Sequence, residues 1–382
     1  MKHHPAILAA AALVALISLA APTTQAQAKR SYSAYDIARQ FELQPMAEQP
    51  EWATSETPPL FTFAWMSDFH LRKGKTYELV KAGCNYTRDT LKPDFVVITG
   101  DNSAYALAPK KHKDKKKAKE TLPLRRQQAL QQFLAKELAI PYSIVPGDNW
   151  PWEFEKVFGP TQYSFDVGGM HFLFLSVDCR GKGKEGCAVF LPTTWKWLQE
   201  DLRRNAQKPT LFFTHEPVHP PSFLEAAALN RVLSNAGNVL AALCGHIHLD
   251  LDFRRENMAH LVCPSLGVRG THGFKLVKVH PERIVLETYE FDGKSFVQAR
   301  KWQKIDIPGR LRKGLGKPRG NISFTVNRSE IPPHPLVRDQ ELLQRAPELV
   351  GPAAAFAMEL TLSRLFSPPP VAKKNPPTLK KP

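Results

Sequence analysis

The stretch Phe61-Thr62-Phe63-Ala64-Trp65-Met66-Ser67-Asp68-Phe69-His70 leads from apolar and β-prone residues straight into an acid and an imidazole. Such a run reads as a buried strand that delivers polar groups at its carboxyl end. The pattern recurs four times. Phe95 to Thr99 leads into Gly100-Asp101-Asn102, and Tyr142 to Val145 into Pro146-Gly147-Asp148-Asn149-Trp150. Leu211 to Thr214 leads into His215-Glu216-Pro217, and Val239 to Cys244 into Gly245-His246-Ile247-His248. His171 to Val177 reads as a further strand. Helical patterning covers Tyr77 to Leu91, Leu124 to Leu138, Thr194 to Arg204 and Phe223 to Leu233. This alternation predicts an α/β layered domain with largely buried strands. Phe274 to Val279 and Ile284 to Phe291 add a hairpin around His280-Pro281-Glu282-Arg283.

In open α/β sheets, ligands bind in the crevice beyond the carboxyl ends of the strands. Five strand ends therefore bring Asp68, His70, Asp101, Asp148, His215, His246 and His248 into one cleft. Carboxylates and imidazoles together suit divalent metals, and seven such groups are enough for two ions. Each piece alone has an ordinary reading: Asp68 or Asp101 as a helix cap or turn residue, His215 as a satisfied buried histidine. The order of all five pieces at strand ends points to a metal site.

In that order the pieces resemble the motifs of the calcineurin-like metallophosphoesterase superfamily: D-x-H, G-D, G-N-H-D/E, H and G-H-x-H. The match runs from about Phe61 to Asp250. Phe158-Gly159-Pro160, Tyr163-Ser164-Phe165 and the stretch Leu191 to Leu198 look like connecting segments of secreted or phosphodiesterase-like members. The resemblance implies a four-layered α/β/β/α sandwich with a binuclear metal centre holding Mn, Fe, Zn or Mg. It also implies hydrolysis of phosphate mono- or diesters through in-line attack of a metal-bridging hydroxide. By the same resemblance, Asp68, His70, Asp101 and His248 hold one ion. Asp101 bridges to a second, held by His215, His246 and the ligand of the third motif.

The third motif departs from the family, with Gly147-Asp148-Asn149-Trp150 in place of Gly-Asn-His-Asp/Glu. One register puts Asp148 at the usual Asn ligand and Asn149 at the usual catalytic histidine. A shift of one residue keeps Asn149 as the ligand and moves Trp150 into the histidine's place. Either way the histidine is missing, and with it general acid–base help worth about 10²–10⁴ in rate. In the first register three carboxylates and a hydroxide balance two divalent ions, which reduces the pull on a dianionic monoester. His219 is a candidate substitute donor, with a surface loop histidine as its ordinary reading. Asn102, next to Asp101, is a candidate contact to a phosphoryl oxygen.

The rest of the chain frames this domain. Of 382 residues, 43% are hydrophobic and 23% charged, which is globular and excludes a disordered or fibrous protein. Lys2-His3-His4, the apolar run from Ala6 to Ala21 and Ala26-Gln27-Ala28 predict a secretory signal peptide over 1–28. A lead-in segment then spans 29–60, the catalytic domain 61–302, and a basic, Pro-rich extension 303–382. Export predicts a secreted or periplasmic protein with no stable membrane span. In that compartment a disulfide between Cys179 and Cys187 is expected, with Cys84, Cys244 and Cys263 as small buried residues.

The formal charge of +16 invites a polyanion partner. Much of the lysine, however, lies in the run Lys110 to Lys119 and in the tail from Ser367, segments that read as solvated. The favoured partner is a phosphorylated small molecule or a phosphodiester; nucleic acid is not favoured. Two other classes stay open. One is a degenerate member of the family that binds metal or a phosphorylated ligand without turnover; the other is a polyanion-binding protein that uses its basic segments.

Overall fold

The computed structural model describes residues 38–72, 74–102, 115–149, 152–181, 184–255, 257–268, 270–318, 322 and 327–328. All of them fall in the unit Ser33–Pro382. From the amino end come β1 (Phe61–Met66), α1 (Lys75–Tyr86), β2 (Phe95–Ile98), α2 (Lys115–Phe133) and β3 (Tyr142–Ile144). A short α3 (Glu155–Phe158) leads to β4 (Tyr163–Val167), β5 (Met170–Phe174), β6 (Cys179–Gly181) and β7 (Lys184–Val189). Next are α4 (Pro192–Arg204), β8 (Thr210–Phe213), α5 (Ala226–Ala236), β9 (Val239–Cys244), β10 (Leu251–Arg255) and β11 (Met258–Val262). The last strands are β12 (Gly273–Val279), β13 (Arg283–Phe291), β14 (Phe296–Asp306) and β15 (Asn327–Arg328).

Two mixed sheets result. The first has the order β14-β13-β12-β1-β2-β3 and the second β10-β11-β9-β8-β5-β4-β15. In the first, β1, β2 and β3 are parallel; in the second, β11, β9, β8 and β5 are parallel. Alternation along each strand sorts side chains into layers. Phe63 and Trp65 of β1 meet Phe172, Phe174 and Phe213 in a core between the sheets. Ala64 and Met66 face the other way, onto Leu79 and Val80 of α1 and Leu130 and Phe133 of α2. Leu173, Phe212 and Ala242 carry Trp197 and Leu198 of α4 and Leu229 and Leu233 of α5. Helix, sheet, sheet, helix is the four-layered sandwich expected. Each large apolar side chain so buried contributes roughly 1.5–3 kcal/mol.

Ordered packing continues beyond residue 302, where the extension was expected to begin. β14 runs to Asp306, and Ile307 and Leu311 are part of the central core. Its Lys and Gln residues hide the strand from a pattern reading, although Lys301 and Gln303 are buried in the fold. Within the expected lead-in, Leu43 N–H donates to Asp250 O and Met46 N–H to Arg300 O. Arg283 donates to the carbonyls of Trp52 and Thr54. The segment thus follows the two edge strands β10 and β14 and covers exposed ladder groups.

Cys84, Cys244 and Cys263 are buried thiols. The expected signal segment 1–28, Lys110 to Asp114, Trp150 and residues 329–382 lie outside the described residues. So do the side chains of Lys115 to Lys119 and of Cys179 and Cys187, hence the disulfide expected there. Among the described residues no helix is long and apolar enough to cross a membrane.

Candidate metal centre

The seven polar residues leave the carboxyl ends of five strands. Asp68 and His70 follow β1, Asp101 follows β2 and Asp148 follows β3, all in the first sheet. His215 follows β8, and His246 and His248 follow β9, in the second. The site therefore straddles both sheets.

The backbone turns sharply here. Asp68, His70, Asp101, His246 and His248 all have positive φ, at 55°, 38°, 54°, 70° and 64°. Asp, Asn and His tolerate the left-handed region better than other non-glycine residues, but five together are strain that the surroundings must hold. Asp68 N–H donates to Gly100 O, and His70 N–H to Asp101 O. The Ser265 hydroxyl and the Gly267 N–H both donate to Asp68 O. Glycine precedes Asp148 and His246 for a steric reason. A Cβ on Gly147 would strike the Asp101 carboxylate, and one on Gly245 would strike Ser67 and Asp68.

The side chains form two groups whose ligand atoms lie within 4.8 Å of one another: Asp68, His70, Asp101 and His248, and then Asp148, His215 and His246. In the first, His248 Nε2 lies 3.1 Å from Asp68 Oδ1 and 3.3 Å from His70 Nε2. In the second, Asp148 Oδ1 lies 3.2 Å from His215 Nε2 and 3.6 Å from His246 Nδ1. Asp101 faces both. Its Oδ2 is 3.3 Å from His70 Nε2 and its Oδ1 is 3.4 Å from His215 Nε2.

Electrostatics match a cation site. Burial works against ionised Asp68, but the His248 and His70 imidazoles outweigh it and hold the carboxyl well below its ordinary range. His246 and His215 do the same for Asp148. Asp101 is pushed up, by burial and then by the charge of Asp148. Burial opposes protonation of His215, yet the carboxylates of Asp101 and Asp148 raise it well above the usual imidazole value. Protons on imidazoles thus balance the buried acids, a role that divalent cations fill better when bound. The His215 tautomer suits this. Its Nδ1–H donates to Thr99 O at 2.7 Å, so Nε2 is the nitrogen that faces the site and would offer a lone pair to a cation on losing its proton. The donor set of three carboxylates and four imidazoles fits two divalent ions.

The structure sorts the other predicted residues. Asp148 groups with His215 and His246. Asn149 instead holds the shared carboxylate: its N–H donates to Asp101 Oδ1 at 2.9 Å and its amide Nδ2 to Asp101 Oδ2 at 2.6 Å. Asn102 is buried beside Asp101, and its Oδ1 accepts no hydrogen bond among the described residues. His219 is in neither group. Its ring packs edge-on against His260, at 5.2 Å, and Phe253, at 5.8 Å. His260 sits in register with Ala242, and Phe253 packs with Ile247 and Leu249, the neighbours of His246 and His248.

Sequence reasoning missed the supports. Ser265 and Gly267 lie in a loop after β11 with no motif of their own, and Thr99 looks like the last residue of an apolar strand. Glu216, buried beside the site, helps raise His246 and carried a visible signal as a charged neighbour of His215.

A cluster of this kind at the rim of a two-sheet sandwich is the centre of a calcineurin-like phosphoesterase, and residues 61–250 match that family and belong to it. Among curated proteins the chain is similar to the serine/threonine-protein phosphatase CPPED1. The mouse protein (Mus musculus) is 27% identical over 157 residues, 37% of this chain and 50% of that protein. The human one (Homo sapiens) is 26% identical over 227 residues, 53% of this chain and 69% of that protein. The chain thus spans about half the length of the mouse relative. A solved dimetal phosphatase from Danio rerio shares the fold, with a TM-score of 0.50 at 15% identity, covering 65% of this chain and 100% of that one.

Proposed function

We propose that the protein is an exported metal-dependent phosphoesterase that hydrolyses phosphate mono- or diesters by in-line attack of an activated water. The placement of Asp101 between the two groups is the observation that carries this reading. Asp68, His70, Asp101 and His248 would hold one ion, and Asp148, His215 and His246, with Asp101 facing both groups, would hold the other. When bound, two such ions supply a nucleophile at neutral pH and charge neutralisation on the phosphoryl oxygens.

The chain's own residues do the rest. Thr99 keeps the His215 tautomer, and Asn149 orients the Asp101 carboxylate. Asn102, buried beside Asp101, would contact a phosphoryl oxygen. With Asn149 where the family has histidine, the leaving oxygen takes its proton from water or from His219. Good leaving groups are therefore favoured. The third carboxylate, Asp148, offsets cationic charge and favours a monoanionic diester over a dianionic monoester. Export rests on the amino-terminal pattern from Lys2 to Ala28.

Metal analysis of the purified protein, with hydrolysis of aryl phosphate mono- and diesters after loading with Mn, Fe, Zn or Mg, tests the proposal. The expected result is two ions per chain and faster turnover of the diester. Protein that takes up no metal and stays inactive with every ion would refute it. A second reading, binding of metal or a phosphorylated ligand without turnover, is favoured by the absent histidine alone.

A further inference from the structure

We infer that a buried ring of Lys275, Asp250 and Thr288 positions the loop carrying His246 and His248 against the first sheet, and so sets the spacing of the metal centre proposed above. The inference rests on that metal reading. Asp250 follows His248 by two residues, at the exit of the loop from the second sheet. Lys275 lies on β12 and Thr288 on β13, in the first sheet. All three side chains are buried, with no exposure at all.

The hydrogen bonds close a ring. Lys275 Nζ donates to Asp250 Oδ1 at 2.5 Å and to Thr288 Oγ1 at 2.8 Å, and the Thr288 hydroxyl donates to Asp250 Oδ2 at 2.7 Å. Lys275 and Thr288 are register partners, and Lys275 is also the partner of Trp65, three residues before Asp68. The ring therefore joins the sheets next to the site. Leu43 N–H holds the same Asp250 from the backbone side, at its carbonyl.

The core between the sheets is apolar, and its attraction has no direction and fixes no distance. Besides the ring, a directional tie is Tyr163 of β4, whose hydroxyl donates to Ile144 O and accepts from Ile144 N–H of β3. The first ligand group draws Asp68, His70 and Asp101 from one sheet and His248 from the other, so it forms only at one separation. A buried ion pair is seldom a net source of stability, because desolvation opposes it. It is, however, directional, and it strongly penalises any movement that parts its members. Lys275 and Asp250 are on this account positioning residues: they act on the metals through His248 and His246.

Co(II) titration of the full chain, followed by visible absorption, reads this directly. In the double variant Asp250→Asn, Lys275→Met the ring loses both charges together, and the metal-free protein is checked for folding by its thermal transition. The expected result is a folded protein whose Co(II) affinity is about 10- to 100-fold weaker, with an altered spectrum. Folded double variant with wild-type affinity and spectrum overturns the inference. If the double variant does not fold, Thr288→Val decides. It removes one hydrogen bond and leaves the ion pair, and should weaken Co(II) about two- to tenfold; no change overturns the inference. Wild-type chain that binds no Co(II) removes the metal reading itself, which is a separate failure.

Discussion

Asp101 lies between His70 and His215, with Oδ2 3.3 Å from one imidazole and Oδ1 3.4 Å from the other. One carboxylate from β2 thus meets ligands of both sheets. Asp101→Asn keeps the shape and removes the charge shared by the two groups. We expect metal content to fall from two ions per chain to one or none, and hydrolysis to fall by more than about 100-fold, the upper range for partners outside the ligand sphere. Two ions and near-normal rates in this variant would remove Asp101 from its bridging role.

Gly147 has no room for a side chain, because a Cβ there meets the Asp101 carboxylate and backbone. Gly147→Ala should displace Asp101 or Asp148 and lower metal affinity at least about tenfold. Gly309, which has open space around it, serves as the control. Gly309→Ala should change stability by no more than about 0.5 kcal/mol. Equal metal affinity in the two variants would show that the close approach is unimportant.

Asn149→His restores the residue type that the resembling family carries at this place. A handicapped enzyme should gain about 10²-fold or more on esters with poor leaving groups, and little on aryl esters. No gain at full metal occupancy would favour the binding-only reading.

Away from the site, His171 sits between two carboxylates, with Nδ1 2.7 Å from Asp166 Oδ1 and Nε2 2.7 Å from Asp201 Oδ2. Burial opposes its protonation, but these acids outweigh burial and raise it above the ordinary value. A raised value in the folded state means that folding favours the protonated form. The stabilisation is fully present below the unfolded value, about pH 6.5, and is lost as pH rises through the folded one. The stability gap between wild type and His171→Gln, measured by urea unfolding of metal-free protein, should therefore narrow as pH rises. A gap that stays constant or widens would contradict this.

The order of strands and polar strand ends was legible because parallel strands between layers are apolar on both faces. β1 and β9 begin and end where their apolar runs do, and Asp68, His70, Asp101, His215, His246 and His248 stand directly after such runs. The edge strand β14 was not read as a strand, because Lys301, Gln303 and Lys304 break its apolar pattern although the first two are buried. Pattern could not choose between Asp148 and Asn149 either, since both registers satisfy the same letters. In the structure Gly147 packs against Asp101, Asn149 turns onto that carboxylate, and Asp148 stands beside His215 and His246.

His219 and Lys275 make the same point from opposite sides. Four residues after His215, His219 packs its ring against His260 and Phe253, contacts that its spacing does not reveal. Lys275 stands 25 residues beyond Asp250 and carries no motif, yet the two share one ring beside the site. Local spacing determined which groups leave the strands at the rim. Which of them meet, and what holds the two sheets at the distance that lets them meet, depends on contacts between segments far apart in the chain.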